Sequence, residues 1–202
     1  MQNKVIFKIV TSRIPTRYGE FHLHLFFEPD TGKEHLALTI GNPAEGRAPL
    51  VRIHSECFTG DVLGSLRCDC GPQLAASLKM IGDERRGALI YLRQEGRGIG
   101  LIEKLKAYNL QDGGLDTVEA NISLGHCADC RDYRIGAIIL KELGIKEIRL
   151  ITNNPAKIEG LEDSGITVEE RIPIETEITE DNCRYIRTKA ERMNHIINMG
   201  NF

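Results

Sequence analysis

The sequence is poor in aromatic residues and in net charge. Its 202 residues include no tryptophan and 5% aromatic residues, and the formal net charge is −3. A general nucleic-acid-binding protein usually carries a strongly basic surface, so we expect no nucleic-acid partner. A small negative net charge still permits a local basic pocket for one polyphosphate ligand.

Long hydrophobic runs are also missing. No stretch approaches the roughly 20 apolar residues of a membrane-spanning helix, so no membrane partner is expected. Segment 1–7 has neither the apolar run nor the small-residue cleavage site of a signal peptide. We therefore expect a cytoplasmic protein. Its reducing surroundings favour thiolate chemistry over disulfides for the six cysteines.

The order of the predicted elements indicates the fold class. Segments 5–10, 21–27 and 35–40 alternate in polarity or form short apolar runs, which predicts antiparallel strands. From residue 50 onwards predicted strands alternate with predicted helices. We therefore expect an α/β fold with a mixed sheet, an antiparallel N-terminal part and flanking helices. No repeat or linker is evident, so residues 1–202 are expected to form a single domain.

The later elements are predicted from periodicity. Short apolar runs between turn residues predict the strands, and apolar residues three or four positions apart predict the helices. The predicted strands cover 50–53, 88–92, 148–152 and 166–169. The predicted helices cover 72–86, 101–110, 131–143 and 185–199, with a short helix around Ile158 and Leu161.

Three cysteines form the densest group of reactive side chains. Cys57, Cys68 and Cys70 are separated by ten residues and by one residue. Thiolates at this spacing suit three corners of a zinc tetrahedron, and no fourth ligand is evident nearby. Three protein ligands leave a position open for water or substrate, as in catalytic zinc sites. The alternative is three reduced, buried cysteines, which the polar neighbour Asp69 disfavours.

A glycine-rich loop lies between a predicted strand and a predicted helix. Segment 93–100 reads Arg-Gln-Glu-Gly-Arg-Gly-Ile-Gly. Its backbone amides can approach an anion closely, while Arg93 and Arg97 offer bidentate phosphate donors. The spacing matches neither a P-loop nor the dinucleotide-binding fingerprint. The alternative is a glycine-rich turn with solvated arginines.

Two further segments combine charged and polar groups. Asp129 and Arg131 lie near a predicted helix start, where a carboxylate for proton transfer and a guanidinium for phosphate can converge. The alternative is a helix-capping Asp129 with a solvated Arg131. Thr152 and Lys157 follow a predicted strand, the usual ligand position in open α/β sheets. The alternative there is a turn in which Asn154 caps a helix.

Cys127 and Cys130 flank Asp129 as a Cys-x-x-Cys pair. Two special interpretations are open, a zinc knuckle shared with the first three cysteines and a redox pair. The first cluster already supplies three thiolates, which disfavours both. Cys183 is expected to be incidental.

The assembled motifs closely resemble the GTP cyclohydrolase II family, which opens riboflavin biosynthesis. They include Arg-Ile-His-Ser-Glu-Cys at 52–57, Arg-Cys-Asp-Cys-Gly at 67–71 and Arg-Gln-Glu-Gly-Arg-Gly-Ile-Gly-Leu at 93–101. The other similar segments are 14–16, 19–21, 59–61, 108–112, 116–117, 129–132, 150–155, 188–189 and 193–195. The likeness spans nearly the whole chain, and a series of ordered motifs of this kind is highly specific.

The resemblance implies a homodimer that depends on one Zn²⁺ per subunit and on Mg²⁺. Its substrate would be GTP, and its products a diaminopyrimidinone ribosylamine phosphate, formate and pyrophosphate. The family's zinc ligands match Cys57, Cys68 and Cys70, and the zinc-bound water would attack C8 of the guanine ring. The residues implied to bind GTP are Arg52, Ile53, His54, Ser55, Glu56, Gln73, Glu95, Gly96, Arg97, Thr117, Thr152 and Lys157.

The resemblance also implies three catalytic roles. Asp129 would be the proton acceptor, Arg131 the nucleophile toward the α-phosphate, and Tyr108 would lie beside the base and assist ring opening. A guanidinium stays protonated and is a weak nucleophile, so physical chemistry favours electrostatic stabilisation of the α-phosphate by Arg131. His126 and Cys127 depart from the family pattern of phenylalanine and a small residue, and His126 is expected to alter the edge of the pocket.

Two competing functions remain to be separated. One is a zinc-stabilised binding module without turnover, which would need a fourth zinc ligand. The Asp129–Arg131 pair and the open zinc position disfavour it. The other is a relative of the family that uses GTP but makes a different product.

Overall fold

A seven-stranded mixed sheet organises the chain in the computed structural model, which describes residues 5–199. In sheet order the strands are β1 (Phe7–Thr16), β2 (Gly19–Glu28), β3 (Lys33–Ile40), β5 (Gly87–Leu92), β4 (Leu50–Ser55), β6 (Glu147–Ile151) and β7 (Thr167–Ile172). Neighbouring strands are antiparallel from β1 to β5 and parallel from β5 to β7. The predicted α/β fold with an antiparallel N-terminal part is confirmed.

Helices connect and cover the parallel half of the sheet. They are α1 (Phe58–Asp61), α2 (Cys70–Glu84), α3 (Gly100–Asp112), α4 (Thr117–Ser123), α5 (Arg134–Glu142), α6 (Pro155–Glu162) and α7 (Glu180–Arg192), with a 3₁₀ turn at Glu95–Gly98. Across residues 5–199 no helix is long and apolar enough to cross a membrane.

Two helices were not predicted from the sequence, the four-residue α1 and the longer α4. The carboxylate of Asp116 accepts hydrogen bonds from the N–H groups of Val118 and Glu119, and Glu119 accepts one from the N–H of Asp116. This reciprocal capping box starts α4. The Asp-x-x-Glu spacing that forms it is visible in the sequence and would have predicted the helix.

Two predicted helices have different bounds in the structure. Helix α5 begins at Arg134 rather than at residue 131, because Asp132 accepts hydrogen bonds from the backbone and side chain of Arg134. Asp129 therefore caps no helix, and that alternative is wrong. Helix α7 covers Glu180–Arg192 rather than 185–199. Asn194 adopts a left-handed φ of 54°, and the chain turns back so that the N–H of His195 bonds to the carbonyl of Lys189 (3.0 Å).

The central strands β4 and β5 of the sheet are buried on both faces. One face packs with Ile135, Ile139 and Leu140 of α5, and the other packs with Ile81 and its neighbours on α2. Strand β5, Gly-Ala-Leu-Ile-Tyr-Leu, is apolar along most of its length, as expected for a parallel strand covered on both sides. This packing fixes the carboxyl ends of β4, β5 and β6 side by side.

Strands β4 and β6 separate before they end. They pair only at Leu50 with Arg149 and at Val51 with Leu150. Beyond that point the carbonyl of Ile151 accepts a hydrogen bond from Arg52 Nη1 (2.9 Å). The carbonyl of Ile53 accepts one from Lys157 Nζ (2.7 Å). Side-chain donors thus satisfy buried carbonyls that the ladder leaves free. The opening is a crevice at the carboxyl ends of parallel strands, where open α/β sheets bind ligands.

Candidate functional site

The three cysteines meet where β4 ends and α2 begins. The Sγ atoms of Cys57, Cys68 and Cys70 all lie within 4.8 Å of one another, and those of Cys57 and Cys68 are 3.7 Å apart. Zinc–sulfur bonds of about 2.3 Å in a tetrahedron place sulfurs roughly 3.8 Å apart, so the cluster fits Zn²⁺ with no large movement. In the described part of the chain no other cluster of histidine, cysteine or carboxylate side chains has this geometry.

Gly60 makes room for the cluster. A Cβ atom at this position would lie 2.9 Å from Cys68 Sγ and 3.2 Å from Cys57 Sγ. Both separations are shorter than ordinary van der Waals contact between carbon and sulfur. The short helix α1 can therefore pass over the thiols only because residue 60 has no side chain.

Without a cation the three thiols cannot all ionise. Hydrogen bonds from Cys68 and Cys70, together with the charge of Lys104, lower the pKa of the Cys57 thiol. The hydrogen bond to Cys57 in turn raises the pKa of Cys68 to about 11, and the pKa of Cys70 is also raised. Ionisation of one thiol thus disfavours ionisation of its two neighbours. A bound metal cation removes that conflict, because coordinated thiols are deprotonated.

Two carboxylates hold the cysteine loop in place. Glu95 accepts hydrogen bonds from the N–H of Phe58 (2.6 Å) and from Lys104 Nζ (2.7 Å), and Lys104 also lies 3.1 Å from Cys57 Sγ. Asp61 accepts hydrogen bonds from the N–H of Cys57 (2.9 Å) and lies 3.0 Å from His54 Nε2. Sequence reasoning missed Lys104, because nothing local marks a lysine in the middle of a helix as a partner of a distant cysteine.

Around the cluster lies a cleft lined by the end of β4, the cysteine loop, the glycine-rich loop, α3 and α4. We call it the cysteine cleft. Many of the predicted site residues line this cleft, most of them in the segments that follow β4 and β5. The predicted residues that line it are Ser55, Glu56, Cys57, Cys68, Cys70, Glu95, Gly96, Arg97, Tyr108, Thr117 and Arg131.

Tyr108 stands next to the thiols. Its hydroxyl lies 3.3 Å from Thr59 Oγ1, and the guanidinium of Arg67 stacks 4.5 Å from the centre of its ring. Burial raises the pKa of the Tyr108 hydroxyl, so that group stays protonated at neutral pH. Tyr108 therefore offers the cleft a flat aromatic wall.

A second pocket opens beside the cysteine cleft and shares Ser55, Cys70, Arg97, Arg131 and Tyr185 with it. It lies in the crevice between β4 and β6 and collects basic side chains from five parts of the chain. We call it the cation pocket, and its positively charged members are Arg52, Arg97, Arg131, Lys157 and Lys189.

A buried polar chain positions part of this pocket. Arg52 Nη2 donates to Gln73 Oε1 (2.5 Å), Gln73 Nε2 donates to Asp69 (2.7 Å), and Lys189 Nζ donates to Asp69 (2.8 Å). Asp69, which separates two of the clustered cysteines, therefore joins the cysteine loop to the C-terminal helix. Sequence reasoning missed the link between Asp69 and Lys189, because the two residues are 120 positions apart.

The pocket is short of negative charge. Burial lowers the pKa of Arg52 to about 10. Burial also lowers the pKa of Lys157, and Arg52, Arg131 and Lys189 add to that shift. Burial and the same surroundings lower the pKa of His195 to about 2, so its imidazole is neutral, and its Nε2 atom has no partner among the described residues. Such a pocket favours a polyanion.

The glycine-rich loop brings Arg97 between the two pockets. Arg97 holds a left-handed φ of 61°, which costs a non-glycine residue about 1–2 kcal/mol. Its guanidinium lies 5.8 Å from the ring centre of Tyr185, and its Nη1 atom is buried without a partner among the described residues. Strained backbone with an unused buried donor is typical of a ligand-binding position.

Asp129 and Arg131 form a tight pair at the same junction. Arg131 donates from its backbone N–H (3.1 Å), from Nε (2.8 Å) and from Nη2 to the Asp129 carboxylate. Burial raises the pKa of Asp129, but Arg131 more than offsets it and the net shift is downward. Burial opposes the charge on Arg131, yet Tyr133 and Asp129 hold its pKa above the usual value. Arg131 lines both pockets, and Asp129 lies behind it.

Not every predicted residue lines a pocket. Ile53 lies in the core and offers only its carbonyl, to Lys157. Thr152 is buried, and its hydroxyl accepts a hydrogen bond from the N–H of Asn154 (3.0 Å). Asn154 caps α6, as the alternative interpretation of this segment predicted. Arg93 points to Glu56 (3.0 Å) outside both pockets.

The second pair of cysteines differs from expectation. The structure joins Cys127 to Cys130 by a disulfide, although the sequence favoured free thiols. The zinc-knuckle alternative is wrong, because neither residue belongs to the three-cysteine cluster. The neighbouring His126 lies 3.3 Å from Glu103 Oε2 and does not line either pocket.

Comparison with known proteins gives a consistent result. Residues 8–173 match the family model described as GTP cyclohydrolase II. A GTP cyclohydrolase-2 of Pseudomonas paraeruginosa is 52% identical over 189 residues, which cover 94% of this chain and 92% of that protein. A GTP cyclohydrolase-2 of Neisseria meningitidis is 52% identical over 94% of this chain and 95% of its own length. The riboflavin biosynthesis protein RibBA of Phocaeicola vulgatus is 52% identical over 97% of this chain and 48% of its own length.

The packing of Gly60 against the thiols predicts a loss of metal without loss of a ligand. In Gly60→Ala the added methyl group would spread the sulfurs, and we expect Zn²⁺ affinity to fall by about 10- to 100-fold, as for other changes just outside a ligand set. Competition with a chromophoric chelator measures it. Cys183→Ser, outside the cluster, should bind Zn²⁺ as the native protein does. Unchanged affinity in Gly60→Ala would contradict the assignment of the cluster.

The lowered pKa of Lys157 predicts a pH dependence of anion binding. Only protonated Lys157 attracts phosphate, so binding of pyrophosphate takes up a proton once the pH exceeds the pKa of the free lysine. Affinity should therefore fall with rising pH by more in the native protein than in Lys157→Arg, whose guanidinium stays charged. Isothermal titration calorimetry in buffers of different ionisation enthalpy measures both affinity and proton uptake. Equal pH profiles would remove Lys157 from the anion site.

Proposed function

The chain belongs to the GTP cyclohydrolase II family of riboflavin biosynthesis enzymes, and from that premise we propose that it converts GTP to a diaminopyrimidinone ribosylamine phosphate, formate and pyrophosphate. The observation that carries the proposal is the junction of the cysteine cleft with the cation pocket through Arg97 and Arg131. A metal-type cluster and a polyanion pocket in direct contact suit a nucleotide whose base and phosphates both react.

In the proposed complex the triphosphate occupies the cation pocket. Arg52, Lys157 and Lys189 line its deep side, and Arg97 and Arg131 line the side towards the cysteines. Arg52 and Lys157 are anchored through carbonyls of the sheet, so both side chains are positioned before the substrate arrives. Mg²⁺ belongs to the proposal as a counterion of the phosphates.

The guanine ring then lies in the cysteine cleft. Cys57, Cys68 and Cys70 would hold Zn²⁺, which would supply a Lewis acid that activates water for the attack at C8. The ring of Tyr108 provides a surface beside the thiols against which the base can be positioned. Ser55, Glu56, Gly96 and Thr117 line the same space and suit recognition of the base and ribose.

Asp129 is proposed as the proton acceptor, and its ion pair with Arg131 controls its basicity. In the free protein Arg131 lowers the pKa of Asp129 and makes it a weak base. When Arg131 turns to the α-phosphate, Asp129 loses that partner and its basicity rises. Substrate binding and base activation are thereby coupled through one ion pair.

Arg131 is proposed to stabilise charge on the α-phosphate as pyrophosphate leaves. Its raised pKa keeps it protonated, so it has no lone pair for covalent attack. A guanidinium presents paired donors to phosphate oxygens, and that arrangement lowers the barrier to phosphoryl transfer.

The proposal includes a homodimer in the cytoplasm. Strand β1 forms one edge of the sheet, and Phe7, Ile9 and Val10 on it are 52%, 58% and 51% exposed. An edge strand that carries exposed apolar side chains, and whose outer side meets no other strand among residues 5–199, is a ready surface for a second copy of the chain.

Sedimentation velocity tests this assembly. We expect a dimer at micromolar concentration, and a charge on the apolar edge in Ile9→Glu should shift the protein to monomers. Ile122→Glu places the same charge at another exposed isoleucine, on α4, and should leave the dimer intact. A monomeric native protein would contradict the proposed state.

A product assay tests the proposed reaction. Protein supplied with Zn²⁺ and Mg²⁺ should release formate and pyrophosphate from GTP in equal amounts, and Cys68→Ser should lose ring opening because a metal ligand is gone. Formate dehydrogenase and a coupled pyrophosphatase measure the two products. Formate without pyrophosphate would overturn the full reaction, and neither product would favour the binding module.

A further inference from the structure

Cys127 and Cys130 form a disulfide in the loop between α4 and α5. Their Cα atoms are 5.7 Å apart, inside the usual range of about 4.4–6.8 Å for such bonds. Both residues are exposed, so oxidants and reductants can reach them. The three clustered cysteines differ, since Cys57 and Cys68 are buried.

The disulfide encloses the proposed proton acceptor. Asp129 lies inside the four-residue ring, between the two half-cystines, and its carboxylate accepts all three hydrogen bonds from Arg131. The proposed reaction separates Asp129 from Arg131, and the ring limits the backbone rotations through which Asp129 can move during that separation.

The same loop rests directly on the glycine-rich loop. The N–H of Cys130 donates to the carbonyl of Arg97 (2.9 Å). A Cβ atom at Gly98 would lie 2.9 Å from the carbonyl oxygen of Cys130, so the two backbones are in close contact. A change in the Cys127–Cys130 loop therefore reaches Arg97 and Arg131, the two basic residues that line both pockets.

We propose that Cys127 and Cys130 are a reversible thiol-modification site, oxidised by small-molecule disulfides, whose disulfide form slows turnover by keeping Asp129 on Arg131. The claim that Cys127 and Cys130 can be oxidised and reduced reversibly depends only on the geometry and exposure of the loop. The effect on turnover rests on the proposed function, through the role of Asp129.

The modification is an ordinary thiol–disulfide exchange. The thiolate of one cysteine attacks a sulfur of the small disulfide, forms a mixed disulfide and releases one thiol. The thiolate of the other cysteine then attacks the protein sulfur of the mixed disulfide and releases the second thiol. Two protein thiols lose two electrons and two protons, and the small disulfide gains both as two thiols. Excess thiol reverses each step.

Mass spectrometry tests the reversible oxidation of Cys127 and Cys130 without any substrate. Full-length, zinc-loaded protein is equilibrated with mixtures of glutathione and glutathione disulfide, alkylated and digested with trypsin. Peptide 107–131 contains Cys127, Cys130 and no other cysteine. We expect it to pass from doubly alkylated to unalkylated as the disulfide fraction rises. A peptide that stays doubly alkylated throughout, or ends as mixed glutathione disulfides, would refute the site.

The turnover rate in the same mixtures tests whether the disulfide slows the reaction. We expect the oxidised native protein to be at least about tenfold slower than the reduced protein, part of the roughly 10²- to 10⁴-fold that a positioned proton acceptor contributes. Cys127→Ser/Cys130→Ser should keep the reduced rate in every mixture, and Cys183→Ser should respond as the native protein does. Bound zinc is measured in each sample.

The outcomes separate the possible failures. An unchanged rate in protein whose peptide is fully oxidised would overturn the link to Asp129. Equal slowing of the double serine variant, with loss of zinc, would place the effect at Cys57, Cys68 and Cys70 and overturn the proposal. If the reduced protein makes no product, the proposed function fails, while the alkylation result still decides whether the pair is redox-active.

Discussion

The separation of β4 from β6 after Val51 is the constraint on which the site depends. Backbone pairing stops there, and the free carbonyls of Ile151 and Ile53 are taken by Arg52 and Lys157. Two basic side chains are thereby buried beside the sheet with carbonyls, rather than carboxylates, as partners. No carboxylate among residues 5–199 pairs directly with either side chain, so both can attract an anionic ligand. Burial in the crevice is also what lowers the pKa values of Arg52 and Lys157.

The cysteine cluster is tied to that crevice by groups that do not bind metal themselves. Asp69 connects the loop through Gln73 to Arg52 and also bonds Lys189. Glu95 connects the same loop to Lys104. The cysteine cluster and the cation pocket are joined by this polar network and keep a fixed separation, which the proposed reaction at two ends of one nucleotide requires.

Local signals in the sequence predicted much of this arrangement. The spacing of Cys57, Cys68 and Cys70 predicted their cluster, and the alternation of strands and helices predicted the parallel half of the sheet. Contacts between distant residues were not predictable in the same way. Arg52 meets the carbonyl of Ile151 across 99 positions, and nothing near either residue indicates it. Arg93 was expected in the phosphate site, but its Nε donates to Glu56 outside both pockets, a contact between residues 37 positions apart that no local pattern indicates.

The central claim is that one bound nucleotide reaches both the thiols and the cation pocket. Crystals soaked with Zn²⁺ and a non-hydrolysable GTP analogue, with diffraction recorded at the zinc edge, test it directly. The account predicts an anomalous peak bonded to Cys57, Cys68 and Cys70, the guanine ring beside Tyr108, and the phosphates against Arg52 and Lys157. A zinc ion held elsewhere, or phosphates outside the crevice between β4 and β6, would contradict it.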